Sequence, residues 1–253
     1  MSLPRTLPRA SMFLVTVGIL GAAAPTSTVQ PAQGFEEAEI FLELNDTDGD
    51  LGLHASIDGG PWTSLEIQAP DKSSLLGILS RGALGKQGMT QLSFESAEPT
   101  FGELPVAAFL ARFPEGQYGI EARAQDGATI AGRARLSHIL AAPTGHITLN
   151  GQPAPKSCDA RPLLVVTAPV VVDWDPVTSS HPKIGTAGPV KISRYQVFIE
   201  RDSFSLGFDL PPTVSDLDLP RQVTDHGAHF KLEIIARTAT GNNTAIETCF
   251  RVR

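Results

Sequence analysis

Apolar and polar residues alternate over most of this chain, and the period is two. Ile40, Leu42 and Leu44 alternate with Glu39, Phe41 and Glu43, and Leu51, Leu53, Ala55 and Ile57 alternate with Gly52, His54, Ser56 and Asp58. Period-two patterning predicts half-buried strands, and Asp48-Gly49 between these two predicts a tight hairpin turn. The stretch "DGGPW" (58–62) is expected to turn the chain again, with a third strand beginning at Leu65-Glu66-Ile67. Residues 69–89 are Gly-rich and lack a clear period, and Leu92 and Phe94 mark another short strand. One helix is predicted, within 101–113, because Pro105 suits a first helical turn and Ala107 to Ala111 are compatible with one. "QYGIEARA" and "ATIAGRARLSHIL", joined at Asp126-Gly127, then read as a closing hairpin.

A Pro-rich stretch over 143–160 changes the texture and is read as a linker. Beyond it, seven strands are expected: 163–166, 170–174, 194–200, 203–208, 213–219, 230–237 and 246–252. That is the strand number of a small β-sandwich. The expected fold class is therefore all-β, with two tandem antiparallel sandwich-like domains at 38–142 and 161–253 and one short helix in the first.

The second half resembles a fibronectin type III domain. Val170-x-Val172-x-Trp174-x-Pro176 looks like that family's second strand, whose Trp plugs the core. Tyr195-x-Val197-x-Ile199 looks like the third, and Phe230-x-Leu232-x-Ile234-x-Ala236 with Gly241 following looks like the sixth. The resemblance implies an immunoglobulin-like sandwich with Trp174, Tyr195 and Phe230 in its core. One departure stands out: Phe230 occupies the place of a Tyr whose hydroxyl normally ties down a corner. Phe113-Pro114-x-Gly116-x-Tyr118 in the first half has the look of such a corner. The whole chain also resembles exported bacterial proteins with an Asn-Asp-x-Asp-Gly-Asp motif ahead of a fibronectin-type module. That resemblance implies a class and no activity.

Composition narrows the picture. Gly (23) and Pro (20) are abundant while charged residues make up 19%, which suits short strands and many turns. A net charge of -7 argues against nucleic acid as a partner, since phosphate binding needs a basic surface. Arg5 and Arg9 followed by the apolar run Met12 to Ala24 read as a cleaved signal peptide over 1–24. A polar lead-in over 25–37 follows. The expected address is the periplasm or the extracellular space, with no transmembrane segment after cleavage and a protein or surface ligand of unknown identity as partner. In that oxidising setting Cys158 and Cys249 are candidates for a disulfide, with two buried thiols as the alternative.

Candidate chemistry is sparse. Asp46, Asp48 and Asp50 have the spacing of the first three EF-hand ligands, but Leu51 stands where Gly is required and Ile57 where a bidentate Glu is required. An EF-hand is excluded. A calcium site on a β-hairpin and a plain acidic turn both stay open, and no other cofactor is expected. Glu95, Glu98 and Glu103 cluster in a loop, where solvated surface is the plainer reading and an acid–base pair the sharper one. Trp62 reads as core filling ahead of a ligand-binding aromatic. With no nucleophile elbow, zinc-protease motif or phosphate loop, the expected protein is a non-catalytic binding or structural module. A calcium-stabilised module is the alternative, and a hydrolase of extracellular glycan or peptide a weaker one.

Overall fold

The alternating segments form strands. The computed structural model describes residues 33–202, 204–224 and 229–253, so the signal peptide, most of the lead-in and the expected strand start at 203 lie outside the described residues. The first half contains β1 (Gln33–Gly34), β2 (Glu37–Asn45), β3 (Asp50–Gln68), β4 (Ser74–Leu79), α1 (Gly82–Gln87), β5 (Met89–Glu95), α2 (Val106–Arg112), β6 (Gly116–Ala124) and β7 (Thr129–Leu136). The second contains β8 (Thr148–Leu149), β9 (Gln152–Pro153), β10 (Leu164–Val166), β11 (Val171–Asp173), β12 (Ile192–Arg201), β13 (Phe204–Leu210), β14 (Asp216–Asp218), α3 (Arg221–Thr224), β15 (His229–Thr238) and β16 (Asn243–Val252). The protein is all-β and sandwich-like.

The "DGGPW" segment does not turn the chain. It lies inside β3, a single strand of 19 residues. Before the segment β3 pairs with β2 and β5; after it β3 pairs with β6 and β4. The register slips between Asp58 and Trp62 and again between Trp62 and Ser64. Gly-Gly-Pro here makes an irregular stretch at which one strand changes its hydrogen-bonding partners, a role such residues often serve in strands. Trp62 sits in this stretch and is fully buried, so it fills the core as expected.

Two helices occupy the first half where one was expected. α2 covers the core of the predicted helix and buries Phe109. α1 buries no residue, so it carries no apolar stripe to betray it in the sequence. β4 was also illegible: its residues run Ser-Leu-Leu-Gly-Ile-Leu without alternation, and it pairs with β3 alone.

The second half folds into two layers around its own core. β13–β12–β15–β16 form one layer, with β10 added in parallel to β16. β14–β11–β8–β9 form the facing layer. Trp174, Tyr195 and Phe230 are at most 4% exposed, and the Trp174 and Tyr195 rings meet edge-on at 5.6 Å. The segment read as a linker supplies the β8–β9 hairpin, whose Leu149 is buried in the second core.

The sheets are mixed rather than purely antiparallel. β1–β7, β2–β16 and β10–β16 are parallel pairs. The β2–β16 pair matters most, because it joins the two halves: Glu43, Leu44 and Asn45 align with Asn243, Thr244 and Ala245. The larger sheet therefore runs on from the first core (Ile40 to Leu140) into the second (Ala141 to Val252).

Candidate functional site

The acidic hairpin tip is seated against this junction. Asn45 Oδ1 accepts bonds from the Thr47 and Asp48 amides at 3.0 and 3.2 Å, a side-chain-closed turn, and Gly49 supplies the positive φ of 70° that follows. The turn then docks on β16. The Asp46 amide donates to Ala245 O at 3.0 Å, the Glu247 amide donates to Thr47 Oγ1 at 2.7 Å, and Asn45 Nδ2 donates to Glu247 Oε1 at 3.1 Å.

The three aspartates meet different groups. Asp46 Oδ1 lies 3.0 Å from His181 Nε2. The His181 Nδ1 accepts from the Lys183 and Ile184 amides, so the ring proton belongs on Nε2 and points at Asp46. Asp48 Oδ2 accepts from Asn45 Nδ2 at 3.4 Å. Asp50 Oδ1 is buried and has no hydrogen-bond partner among the described residues. Burial first, and then the charges of Glu98, Asp48, Glu247 and Glu43, push the Asp50 carboxyl up to about 6.

Among the described residues, one set of three side chains of a metal-ligating type has its ligand atoms within 4.8 Å of one another: His54, Glu95 and Glu98. Glu95 and Glu98 were candidates from sequence as an acid–base pair and not as metal ligands; Glu103 belongs elsewhere. Its Oε2 accepts from the Thr100 amide at 3.0 Å and the Thr100 hydroxyl at 2.9 Å, closing the turn before α2, and these bonds lower its carboxyl below the usual range.

Polar groups on the outer face of β15 and β16 complete the junction. Glu233 stands directly opposite Glu247, and burial followed by that charge pushes it up to about 7. Lys231 Nζ reaches Glu247 at 3.0 Å and Glu200 at 3.4 Å. The Arg237 guanidinium pairs with Glu39, donates to Asn243 Oδ1 at 3.2 Å and lies 4.6 Å from the centre of the Phe41 ring. The fully buried Asn242 accepts from the Leu42 amide at 2.9 Å and donates to the carbonyls of Ser137 and Ile139 at 2.7 and 3.1 Å. Beside it, Glu39, Ile40, Ala134, Ser137, Ile139 and Gly241 line a cleft of about 490 Å³.

Sequence reasoning missed Glu43, Glu233, Glu247, His181 and Asn242. Each occupies a polar position where exposure is the default expectation. The one available signal was "GNN" (241–243), two amides after a turn glycine at the start of a strand.

Cys158 and Cys249 form a disulfide, which pins the 154–163 segment to β16 together with a 2.7 Å bond from Thr248 Oγ1 to Pro155 O. In the first half Tyr118 Oη donates to Pro114 O at 3.0 Å, the corner its sequence resembles. Among the described residues no helix is long and apolar enough to cross a membrane.

The class the strand pairing defines is a β-sandwich protein. No protein-family model and no curated protein matches the chain. Solved structures to which it is similar include the tetra-tandem repeat in the extending region of a large adhesion protein, at 11% identity, TM-score 0.26, over 86% of this chain and 50% of that one. They also include a bacterial ice-binding adhesin, at 12% identity, TM-score 0.25, over 88% and 66%. Two fibronectin type III domains of chicken tenascin give 10%, 0.27, 86% and 98%. This chain thus spans half of the first structure and 66% of the second. Likeness at these scores carries no argument about function.

Proposed function

We propose that the protein is an exported β-sandwich module that acts by binding or spacing rather than by turnover. The observation that supports this best is the joint between the halves: a parallel strand pair, a buried asparagine and a docked hairpin tip tie the two cores together. Such a joint fixes the relative placement of loops at the sandwich ends, where modules of this kind present binding surfaces. The disulfide fits an oxidising compartment. The calcium-stabilised version has weaker support, because Asp46, Asp48 and Asp50 are not among the described side chains whose ligand atoms lie within 4.8 Å of one another.

The test is to express the chain with its native N-terminus, fractionate the cells and determine the N-terminal residue and thiol state by mass spectrometry. A chain lacking residues 1–24 outside the cytosol, with Cys158 and Cys249 oxidised, is the expected result. A chain retained in the cytosol with both thiols reduced overturns the exported reading. Turnover in a hydrolase screen that is lost in Glu98→Gln overturns the non-catalytic one.

A further inference from the structure

We propose that His54, Glu95 and Glu98 form a binding site for a divalent transition-metal ion of the zinc or manganese kind. Their placement comes from the sheet. His54 on β3 and Glu95 at the end of β5 are directly opposite each other in the antiparallel register. The chain then folds back, and Ser96 pins it: its amide donates to Leu53 O and its hydroxyl accepts from the Leu53 amide, both at 2.9 Å. That return brings Glu98 Oε1 to 3.0 Å from His54 Nε2. That contact is a hydrogen bond in the structure; two ligands of one ion, each about 2.0–2.1 Å from it, stand roughly 3.0–3.4 Å apart, so an ion replacing the shared proton would need little movement of either group.

The face of β3 beneath the group is shaped for it. Asp50, Gly52 and His54 share one face, since side chains alternate along a strand. A Cβ at position 52 would stand 2.1 Å from Glu98 Oε1, so the carboxylate occupies the space that only a glycine leaves free. Next along that face is Asp50, whose buried Oδ1 has no hydrogen-bond partner among the described residues. Asp50 is not among the three side chains whose ligand atoms gather, so it is no part of the ligand set. The His54 ring is held by stacking on Phe41 at 5.3 Å and 22°. Its side chain is 14% exposed and that of Glu98 28%, so the site is framed by protein yet reachable.

The donor set selects the ion class. One imidazole nitrogen with two carboxylates suits zinc, manganese or ferrous iron, whereas calcium takes oxygen ligands in larger number. Three protein ligands leave a position for water. The ion would clip β3, β5 and the 96–99 loop together.

The experiment uses the untagged, chelator-stripped full chain, titrated calorimetrically and melted with Zn²⁺, Mn²⁺, Ca²⁺ or Mg²⁺ alone. Expected are one equivalent of Zn²⁺ or Mn²⁺ bound, a raised melting midpoint and no comparable effect of Ca²⁺ or Mg²⁺. His54→Ala and Glu98→Gln should each weaken binding by roughly 10-fold or more. Glu95 is exposed, so Glu95→Gln tests the site without disturbing the apo fold and should weaken binding while leaving the metal-free midpoint unchanged. Asp48→Ala should change nothing. Absence of stoichiometric binding, affinity unchanged in Glu95→Gln, or a preference for Ca²⁺ abolished by Asp48→Ala would each overturn the assignment. None of these outcomes bears on whether the protein is exported.

Discussion

The two halves close their sheets at similar corners with different chemistry. In the first, Tyr118 buries its ring and sends its hydroxyl back to Pro114 O, and burial with the Asp71 charge pushes the phenol up to about 12. In the second, Phe230 stands at the start of β15 and has no hydroxyl to send. It stacks on Phe250 of the neighbouring strand at 5.5 Å and 25°. Adjacent to Phe250, Cys249 carries the disulfide to Cys158. A local bond four residues long holds one corner; a covalent link across 91 residues of sequence holds the other half's last strand. The lesson is that a missing family hydrogen bond need not weaken a sandwich, provided the strand it would have anchored is fastened elsewhere.

The largest expected effect breaks the second half's fastening. A loop of this length gives a disulfide stabilisation of about 4–5 kcal/mol in the chain-entropy picture. The double substitution Cys158→Ser with Cys249→Ser, or reduction of the wild type, should lower unfolding free energy by about that much in urea titrations. A loss below about 1 kcal/mol would mean that the Phe230–Phe250 stack and the β12–β15–β16 pairing suffice alone, and the compensation argument would fail.

The same contrast explains what could be read from the sequence. Trp174, Tyr195, Phe230 and the seven second-half strands were legible because the longer strands alternate, the short ones are apolar runs between turns, and each spacing is local. The cysteine pair was a candidate with two buried thiols left open, and the β2–β3 hairpin was legible from Asp48-Gly49. The continuation through "DGGPW" was not, since Gly-Gly-Pro is equally good chemistry for a reversal and for an irregular stretch inside one strand. The junction was hidden for another reason. Asn45 and Glu247 are 202 residues apart, and nothing local in "NDTDGD" says that the turn will be covered. His54 and Glu98, 44 apart, meet because a loop folds back over Gly52, which periodicity cannot foretell.

A second prediction sharpens the comparison through charge. Glu233 in the second half and Asp50 in the first both have carboxyls raised by burial and by neighbouring acids. A raised acid binds its proton more tightly when folded than when unfolded. Stability should therefore increase as pH falls through about 7 toward the ordinary carboxylate range, and level off below it. With each pKa unit worth about 1.4 kcal/mol, Glu233 alone should make the protein roughly 2–3 kcal/mol more stable at pH 5 than at pH 8. Glu233→Gln should remove most of that slope and leave the smaller part owed to Asp50. Denaturation curves flat between pH 5 and 8 in the wild type would contradict the junction's electrostatics.

The smallest effect tests the first corner. Tyr118→Phe keeps the ring, which is fully buried, and deletes only the bond to Pro114 O. A lost bond to a carbonyl that can still reach water costs about 1 kcal/mol, and one to a carbonyl left dry up to about 3. Pro114 is exposed, so the low end is expected, about 1 kcal/mol. Phe230→Tyr is the informative mirror. A hydroxyl added at a ring 1% exposed gains only if the second half retains a carbonyl placed to accept it. Against the Phe250 stack, the added oxygen should destabilise by a similar amount. Loss in both variants would show that each corner is tuned to its own residue. A gain in Phe230→Tyr would show instead that the second half kept the geometry of a tyrosine corner and lost only the hydroxyl.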